Sequence, residues 1–379
     1  MTSVTFIHTS DLQLGMTRAF LPPEAQSRFD DARLAAVTRL GELARERDAE
    51  FIVVAGDVFE HNALEKQTRG RALETLKALP VPVYLLPGNH DPLVADSMFA
   101  RTRELDNVRV LDSSEVIEVR PGVEIVGAPL KAKHATEDLV ARALRPLGPT
   151  DAVRIAVGHG QVQSRAAEAA PDTIDLAGVE AKLADGTIDY LALGDTHSTA
   201  SLGGTGRVWF SGSPETTDFH DHTPGVTGNE TDSGNALVVT ASKGRADVEK
   251  VLTGAWTFDA LHWEVAGPED VEELLAQLAA YPDKARTVVK YSLAGTLGLE
   301  ATQRLEQGIG ELEPVFAALY ERTRLMDLHL EPGEEELSRL PLTSFAGSAM
   351  AELAELAAAP GGGAARDAVN LLFRLAKED

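Results

Sequence analysis

The chain has 379 residues, which is longer than one typical domain, so we expect a catalytic domain and a smaller appended one. Hydrophobic residues make up 44% and charged residues 25%, which excludes a disordered chain, and no apolar run reaches the roughly 20 residues that span a bilayer. The formal net charge of −24 argues against nonspecific adhesion to nucleic acid or to anionic membranes. Cysteine is absent, so any metal must use oxygen or imidazole ligands, and without a secretory signal we expect a cytoplasmic protein.

The first two hundred residues alternate short β-branched runs with amphipathic stretches, which is the pattern of an α/β domain. The predicted strands are residues 4–9, 51–55, 83–86, 108–111, 116–119, 123–127, 154–158 and 190–194. The predicted helices are residues 24–47 and 65–79. From about residue 207 the composition turns to Gly, Thr and Ser, and strands at 207–210 and 236–240 are expected to close the sheet.

The last third of the chain has a different layout, with an expected domain boundary near residue 256. The predicted order is strand 261–265, helix 269–281, strand 287–294, helix 300–311 and strand 325–330. An acidic break at 332–336 precedes two Ala/Leu-rich helices, 344–359 and 364–377, which the flexible run 360–363 separates. The sequence therefore predicts three domains: residues 1–255, 256–332 and 333–379.

Polar clusters recur after the strand-like runs of the first domain. They are Asp11-Leu12-Gln13, Gly56-Asp57, Gly88-Asn89-His90-Asp91, Gly158-His159 and Gly194-Asp195-Thr196-His197. Open α/β sheets bind ligands outside the carboxyl ends of their strands, and the glycine in four clusters permits a tight turn there. One such cluster is weak evidence, but five in order indicate a functional site with metal-ligand residue types.

These motifs resemble those of the calcineurin-like metallophosphoesterases, and in particular the SbcD-type nuclease subunit that works with a coiled-coil ATPase in DNA repair. The segments that carry the resemblance lie within residues 1–220 and are FIHTSDLQLG, AGDVFE, PGNHD, GHG, GDTHS and FSGSPETTDF. The resemblance implies a four-layer αββα sandwich of two mixed sheets flanked by helices, followed by a small α+β cap domain. It also implies manganese-dependent cleavage of DNA phosphodiester bonds by an exonuclease or endonuclease.

The resemblance further implies two divalent metal ions, Mn²⁺ or alternatively Mg²⁺, and a water that both ions activate. One ion would be held by Asp11, Gln13, Asp57 and His197, and the other by Asp57, Asn89, His159 and Asp195. Asp57 would bridge the ions because one carboxylate has two oxygens. His90 would act beside the leaving oxygen as proton donor or charge stabiliser, with its tautomer set by Asp91 or Glu60.

Two positions depart from the family pattern, since Gln13 and Asp195 stand where histidines are usual. Gln13 can still offer an amide oxygen, and Asp195 adds a negative charge. More oxygen ligands favour Mn²⁺ or Mg²⁺ over Zn²⁺, and the added charge should weaken the ions as Lewis acids. The alternative is that both side chains bond neighbouring loops and one metal site is empty.

Three functions stay open at this point. The first is a Mn²⁺-dependent DNA nuclease that acts with an ATPase subunit. The second is a phosphoesterase for small nucleotides or phosphodiesters, which the acidic composition favours. The third is a weakly active or non-catalytic subunit that binds DNA or a partner, which Gln13 and Asp195 favour. A homodimer is also possible.

Other features carry less weight. The leucine-rich set of the final helices either docks a partner or packs on its own domain: Leu353, Leu356, Leu371, Leu372, Phe373 and Leu375. Arginines near the clusters either contact substrate phosphate or pair with carboxylates: Arg18, Arg28, Arg69, Arg71 and Arg165. Four histidines are expected in solvated loops: His61, His134, His220 and His222. Residues 218–222 are not expected to bind metal, because consecutive loop residues seldom converge on one ion.

Overall fold

A computed structural model describes residues 2–163, 170–226, 230–331, 344–359 and 362–377. The chain divides into two compact units. The first contains Met1–Ala19, Gln26–Asp218 and Glu230–Trp256, and the second contains Phe20–Ala25, Phe219–Asn229 and Thr257–Asp379. The predicted division at 1–255, 256–332 and 333–379 stays a prediction, and its acidic break at 332–336 lies outside the described residues.

Strands and helices alternate along most of the chain. The strands are β1 (Ser3–Thr9), β2 (Ile52–Val54), β3 (Val83–Leu85), β4 (Val108–Val110), β5 (Ile117–Arg120), β6 (Val123–Gly127), β7 (Val153–His159), β8 (Tyr190–Gly194), β9 (Ala200–Leu202), β10 (Val208–Phe210), β11 (His220–Asp221), β12 (Asn235–Ser242), β13 (Arg245–Leu252), β14 (Thr257–Val265), β15 (Thr287–Leu297), β16 (Ala318–Glu321) and β17 (Asp327–Leu330). The helices are α1 (Pro23–Glu46), α2 (Lys66–Lys77), α3 (Phe99–Thr102), α4 (Leu139–Leu144), α5 (Leu176–Ala184), α6 (Pro268–Ala279), α7 (Leu299–Leu312), α8 (Ser344–Ala358) and α9 (Gly363–Lys377).

The first unit contains two mixed sheets of six strands each. The first sheet has the order β13-β12-β1-β2-β3-β4, in which β1 to β4 are parallel and β12 and β13 are antiparallel to their neighbours. The second sheet has the order β5-β6-β7-β8-β10-β9, with a parallel centre and an antiparallel strand at each edge. Parallel centres place the carboxyl ends of successive strands at one edge of each sheet.

Three apolar layers hold these sheets and helices together. Alternate side chains of one strand enter different layers, as Phe6 packs between the sheets whereas Ile7 packs under α1 and α2. The layer between the sheets joins Phe6 and Phe51 to Ile155 and others, and a third layer places the second sheet against α4 and α5. This arrangement confirms the predicted four-layer αββα sandwich.

The second unit is built on one parallel sheet. Its order is β11-β14-β15-β16, and β17 also pairs with β15. Helix α6 contributes Leu274 and Leu278 to the core of this unit, and α7 contributes Leu305. The unit contains both helices and strands, and the predicted α+β cap domain stays a prediction.

The final helices α8 and α9 pack in part on their own unit. Met350 and Val369 are buried with Leu299 of α7 and Leu330 of β17. Of the leucine-rich set, Leu353 and Leu372 are half-buried and Leu356 and Leu371 are exposed, while the side chains of Phe373 and Leu375 are not among those described. Partner docking by these helices stays a prediction.

In the described ranges, no helix combines the length and apolar character needed to cross a bilayer.

We expect Phe51→Ala to lower the free energy of unfolding of the first unit by about 3–5 kcal/mol, because truncation leaves a cavity between the sheets. Phe51 is fully buried, and its ring lies 5.1 Å from that of Phe6 and 5.4 Å from that of Tyr84. Urea unfolding with a chelator present measures the change. Leu252→Ala is the control, since Leu252 is 71% exposed and its truncation should cost less than about 0.5 kcal/mol. Equal midpoints for the two variants would contradict the assignment of this core.

Candidate metal centre

The five polar clusters converge where the loops after β1, β2, β3, β7 and β8 meet. The loops after β1 and β2 continue the pairing of their strands, since Asp11 N donates to Gly56 O (3.0 Å) and Gln13 N donates to Asp57 O (2.9 Å). The second sheet joins them, because the main-chain N–H of Asp195 donates to the Asp11 carboxylate at 3.2 Å. Residues from both sheets therefore line one site.

Backbone strain is concentrated at this site. Among the described residues, five that are not glycine have positive φ, and four of them are predicted metal ligands: Asp11 (53°), Gln13 (42°), Asp57 (51°) and Asp195 (95°). Left-handed backbone at such residues costs on the order of 1–3 kcal/mol each and persists only where the surroundings hold it. The fold thus holds these four side chains in orientations that an unconstrained loop would avoid.

Glycines let the loops approach closely. A Cβ on Gly88 would lie 2.1 Å from Asp57 Oδ1, and a Cβ on Gly56 would lie 2.1 Å from His159 Nδ1. A Cβ on Gly194 would lie 2.2 Å from the carbonyl oxygen of Ala55. The glycines that the sequence analysis identified as turn residues therefore also make room for ligand side chains.

Asp11, Asp57 and His159 form the centre of the cluster, with one donor atom from each within 4.8 Å of the others. His159 Nδ1 donates to Ala55 O (2.8 Å), which directs Nε2 towards Asn89 Oδ1 at 2.7 Å and Asp57 Oδ1 at 3.4 Å. Asp57 Oδ1 also accepts the main-chain N–H of His90 at 3.0 Å. His159 thus contacts both of the predicted ligands Asn89 and Asp57.

The charges of this centre call for a cation. Burial lowers the pKa of His159, but the carboxylates of Asp57, Asp11 and Asp195 outweigh it and raise that pKa well above its usual value. Burial is the largest single influence on Asp57 and raises its pKa, but His159 and His90 together outweigh burial and lower that pKa, so this carboxyl stays ionised. Either a proton on His159 or a bound metal ion would neutralise the charge of these carboxylates. His159 must lose that proton before its nitrogen can bind a metal ion.

His197 is held by a carboxylate that sequence reasoning did not identify. His197 Nδ1 lies 3.3 Å from Glu230 Oε2 and 2.5 Å from Thr217 Oγ1, so Nε2 faces the site, 3.9 Å from Asp11 Oδ1. Burial lowers the pKa of His197, but Glu230 and Asp11 reverse this and raise the pKa to about 9. A carboxylate that orients a histidine through its second nitrogen is typical of metal centres.

The two residues that depart from the family pattern both lie at the site. Gln13 Nε2 is 3.4 Å from His197 Nε2, while Gln13 Oε1 is buried and has no hydrogen-bond partner in this structure. Asp195 Oδ2 accepts a hydrogen bond from Gln161, while Oδ1 lies 3.8 Å from His159 Nε2. Asp195 therefore bonds a neighbouring loop, as the alternative expects, whereas Gln13 Oε1 has no such bond among the described residues. Metal binding by these two residues stays a prediction.

His90 stands at the exposed side of the site. Its Nδ1 donates to the main-chain oxygen of Glu60 (3.1 Å) and lies 3.8 Å from the Glu60 carboxylate, so Glu60 sets the ring orientation. In the described contacts Asp91 makes no hydrogen bond to this ring and instead accepts from the main-chain N–H groups of Phe59 and Gly88, both at 2.9 Å. Burial and the charge of Asp57 raise the pKa of Asp91 to about 7.

Buried polar residues fix the loop that carries Asp11. Arg33 of α1 donates to the main-chain oxygen of Leu12 (2.6 Å) and to that of Asp11 (3.4 Å), and burial lowers its pKa to about 10. Ser10 Oγ donates to Asp11 Oδ2 (2.5 Å) and contacts Ser211 Oγ (2.8 Å) in the segment FSGSPETTDF. Ser10 could have been suspected from its place beside Asp11, whereas Arg33 has no sequence signal.

A cavity of about 430 Å³ opens beside the centre. The residues that line it include Asn89, His159 and Asp195 of the site, together with Lys133 and His134. A divalent cation fits this centre, because buried carboxylates, a partnerless amide oxygen and two oriented imidazoles supply the donors that Mn²⁺ or Mg²⁺ prefers. The seven predicted ligands are all brought to this one place.

Two of the five arginines near the clusters contact other protein groups. Arg18 donates to the main-chain oxygen of Thr217, and Arg71 lies 3.9 Å from Asp31. Arg165 lies outside the described residues. Contacts of these arginines with phosphate stay a prediction.

Comparisons with known proteins identify relatives for the part of the chain that builds this centre. Residues 4–199, more than half of the chain, match the family described as Calcineurin-like phosphoesterase. The metallophosphoesterase YhaO of Bacillus subtilis is 28% identical over 217 residues, 53% of this chain and 50% of YhaO. The DNA double-strand break repair protein Mre11 of Archaeoglobus fulgidus is 34% identical over 94 residues, 24% of this chain and 20% of Mre11. The chain thus spans half or less of these curated relatives.

Solved structures also align with the chain. The protein TT1561 of Thermus thermophilus covers 66% of this chain and 100% of its own, with 14% identity and a TM-score of 0.42. A dimetal phosphatase from Danio rerio covers 66% and 99%, with 10% identity and a TM-score of 0.37.

We expect Glu230→Gln to weaken Mn²⁺ binding by about 10–100-fold, because His197 loses the carboxylate that orients it. Isothermal titration of the purified protein with Mn²⁺ measures the change. Glu215→Gln is the matched control, since buried Glu215 accepts from the main chain of Thr216, Ala255 and Trp256. That variant should lose stability while keeping its Mn²⁺ affinity. A Glu230→Gln variant with unchanged affinity would show that His197 does not bind the metal.

We expect Gly88→Ala to abolish tight Mn²⁺ binding, because the new methyl group would displace the Asp57 carboxylate. Gly148→Ala is the control, since a Cβ there meets nothing within 4 Å. Mn²⁺ titration followed by electron paramagnetic resonance compares the two variants. Binding by Gly88→Ala equal to that of the control would place the metal away from Asp57.

Proposed function

Because the chain belongs to the calcineurin-like phosphoesterases, we propose that it is a metal-dependent phosphodiesterase that cleaves DNA. The observation that carries this proposal is the convergence of seven ligand-type side chains from five strand ends around Asp57. The similarity to the repair protein Mre11 supports DNA as the substrate, although it covers 24% of this chain. Mn²⁺ is the proposed metal.

The residues divide into two sets about Asp57. Asp11, Gln13 and His197 would hold one ion with Asp57, and Asn89, His159 and Asp195 would hold the other with it. Bound divalent cations neutralise phosphate charge and acidify water, which are the contributions that phosphodiester hydrolysis needs. The protein contributes the orientation of these ligands through Glu230, Ala55 O and the strained loops.

His90 is the residue proposed to assist the leaving group. Because Nδ1 donates to Glu60 O, Nε2 is the nitrogen that remains for a substrate. The side chain is 38% exposed, so a phosphodiester could reach it. A protonated Nε2 can donate to the oxygen that departs from phosphorus.

The acidic composition bears on how DNA would bind. A net charge of −24 repels a polyanion over long range, so we propose that the bound cations supply most of the local positive charge. A coiled-coil ATPase of the SbcC type is the proposed partner, and a homodimer in the cytoplasm is the proposed context. The alternative of a small phosphodiester substrate is favoured by the cavity that Lys133 and His134 line.

Purified protein incubated with Mn²⁺ and linear or hairpin DNA tests the proposal, with bis-p-nitrophenyl phosphate assayed in parallel. We expect cleavage of both substrates, and His90→Ala should lower kcat by about 10²–10⁴-fold without loss of Mn²⁺ binding. His61→Ala is the control, because exposed His61 lies on the same loop as Glu60 and accepts only from Ala63 N at 3.1 Å in the described contacts.

Two outcomes separate the candidate functions, and a third tests the role of His90. Hydrolysis of the small diester without DNA cleavage would replace the nuclease assignment with a small-substrate phosphodiesterase. Absence of both activities, even with a cognate ATPase, would favour a binding subunit. Equal activity of His90→Ala and His61→Ala would remove the role assigned to His90.

A further inference from the structure

A second group of metal-ligand side chains lies in the second unit, on strands β11 and β14. These strands are parallel, and the Cα of His220 is paired with that of Asp259. Paired residues point to the same face of a sheet, and so does a residue two further along the same strand. The pairing continues past β11, because His222 N donates to Ala260 O at 2.9 Å. His220, His222 and Asp259 therefore share one face. The expectation of a solvated loop was wrong for His220, which lies in β11, whereas His222 is exposed and follows that strand.

The three side chains meet at their donor atoms. One nitrogen of each histidine and one oxygen of Asp259 all lie within 4.8 Å of one another. His222 Nε2 is 3.2 Å from Asp259 Oδ1, and the centroids of the two imidazole rings are 3.9 Å apart. A His222–Asp259 ion pair would account for one of these contacts, but it does not require the second imidazole to lie against the first.

Neighbouring residues hold the carboxylate in place. Tyr281 OH donates to Asp259 Oδ2 at 2.6 Å, so Oδ1 is the oxygen that faces the histidines. Asp221, which lies between the two histidines, points away from them, and its carboxylate is 2.7 Å from Arg322 Nη1. The arrangement has the parts of a metal site: three donors on one face and a hydrogen bond that orients the carboxylate from behind.

We propose that His220, His222 and Asp259 bind one transition-metal ion of the Zn²⁺ class. Two imidazoles and one carboxylate suit Zn²⁺, Co²⁺ or Ni²⁺, whereas the oxygen-rich centre around Asp57 suits Mn²⁺ or Mg²⁺. Three protein ligands leave a fourth position of a tetrahedral ion open. The His222 side chain is 42% exposed, so an ion and a further ligand can reach this position from solvent.

Equilibrium dialysis of the full-length protein against Zn²⁺ tests this proposal, with the Co²⁺ absorption spectrum as a second readout. We expect His220→Ala and His222→Ala each to lose one equivalent of Zn²⁺ and the visible bands of the corresponding Co²⁺. His329→Ala is the matched control, because His329 lies in the same unit and pairs with Asp327 at 3.2 Å. Urea unfolding in chelator confirms that the variants are folded.

Two more variants sharpen the result. Tyr281→Phe keeps the ring but removes the hydrogen bond to Asp259, so Zn²⁺ affinity should fall by about 10–100-fold. Asp57→Asn should abolish metal binding in the first unit but keep the equivalent of Zn²⁺ that His220, His222 and Asp259 bind. Equal Zn²⁺ content in His220→Ala, His222→Ala, His329→Ala and the unaltered protein would overturn the proposal, as would loss of this equivalent in Asp57→Asn.

Discussion

The position of the Asp57 carboxylate depends on strand register in both sheets. Its Oδ1 accepts the N–H of His90 from the first sheet and faces Nε2 of His159 from the second. His159 ends β7 opposite Gly194 of β8, so a slip of one residue in β7 would turn the imidazole to the other side of the sheet. The packed layer between the sheets, with Phe6 and Phe51 at its centre, is what prevents such a slip.

Most of the site was predictable because its signals are local. Each ligand cluster directly follows a buried strand, and a short apolar run that ends in Gly and a polar residue is visible without tertiary information. The sandwich followed from the same runs. Strands β9, β11, β13 and β16 and helices α3, α4 and α5 were missed, since most of them are short and β13 alternates exposed and half-buried residues. These elements acquire their structure from neighbours rather than from an apolar pattern of their own.

The residues that sequence reasoning missed act across long separations. Glu230 orients His197 from 33 positions away, and Arg33 holds Asp11 from 22 positions away. Asp259 likewise meets His222 only because β11 pairs with β14. A single Glu, Arg or Asp in a sequence does not indicate which residue its side chain will contact. Such contacts can be identified only when the strand order is known. The two candidate metal sites also differ in chemistry, since one is rich in oxygen and the other in imidazole.

The pairing of β1 with β12 has a consequence for biosynthesis. β1 is synthesised before its antiparallel neighbour β12, which ends at Ser242. Until that point is translated, one side of β1 presents unsatisfied main-chain groups that can join strands of other nascent chains. Pairing of strands that lie far apart in the sequence slows folding. We therefore expect this topology to make the chain dependent on chaperones and prone to aggregate during rapid overexpression.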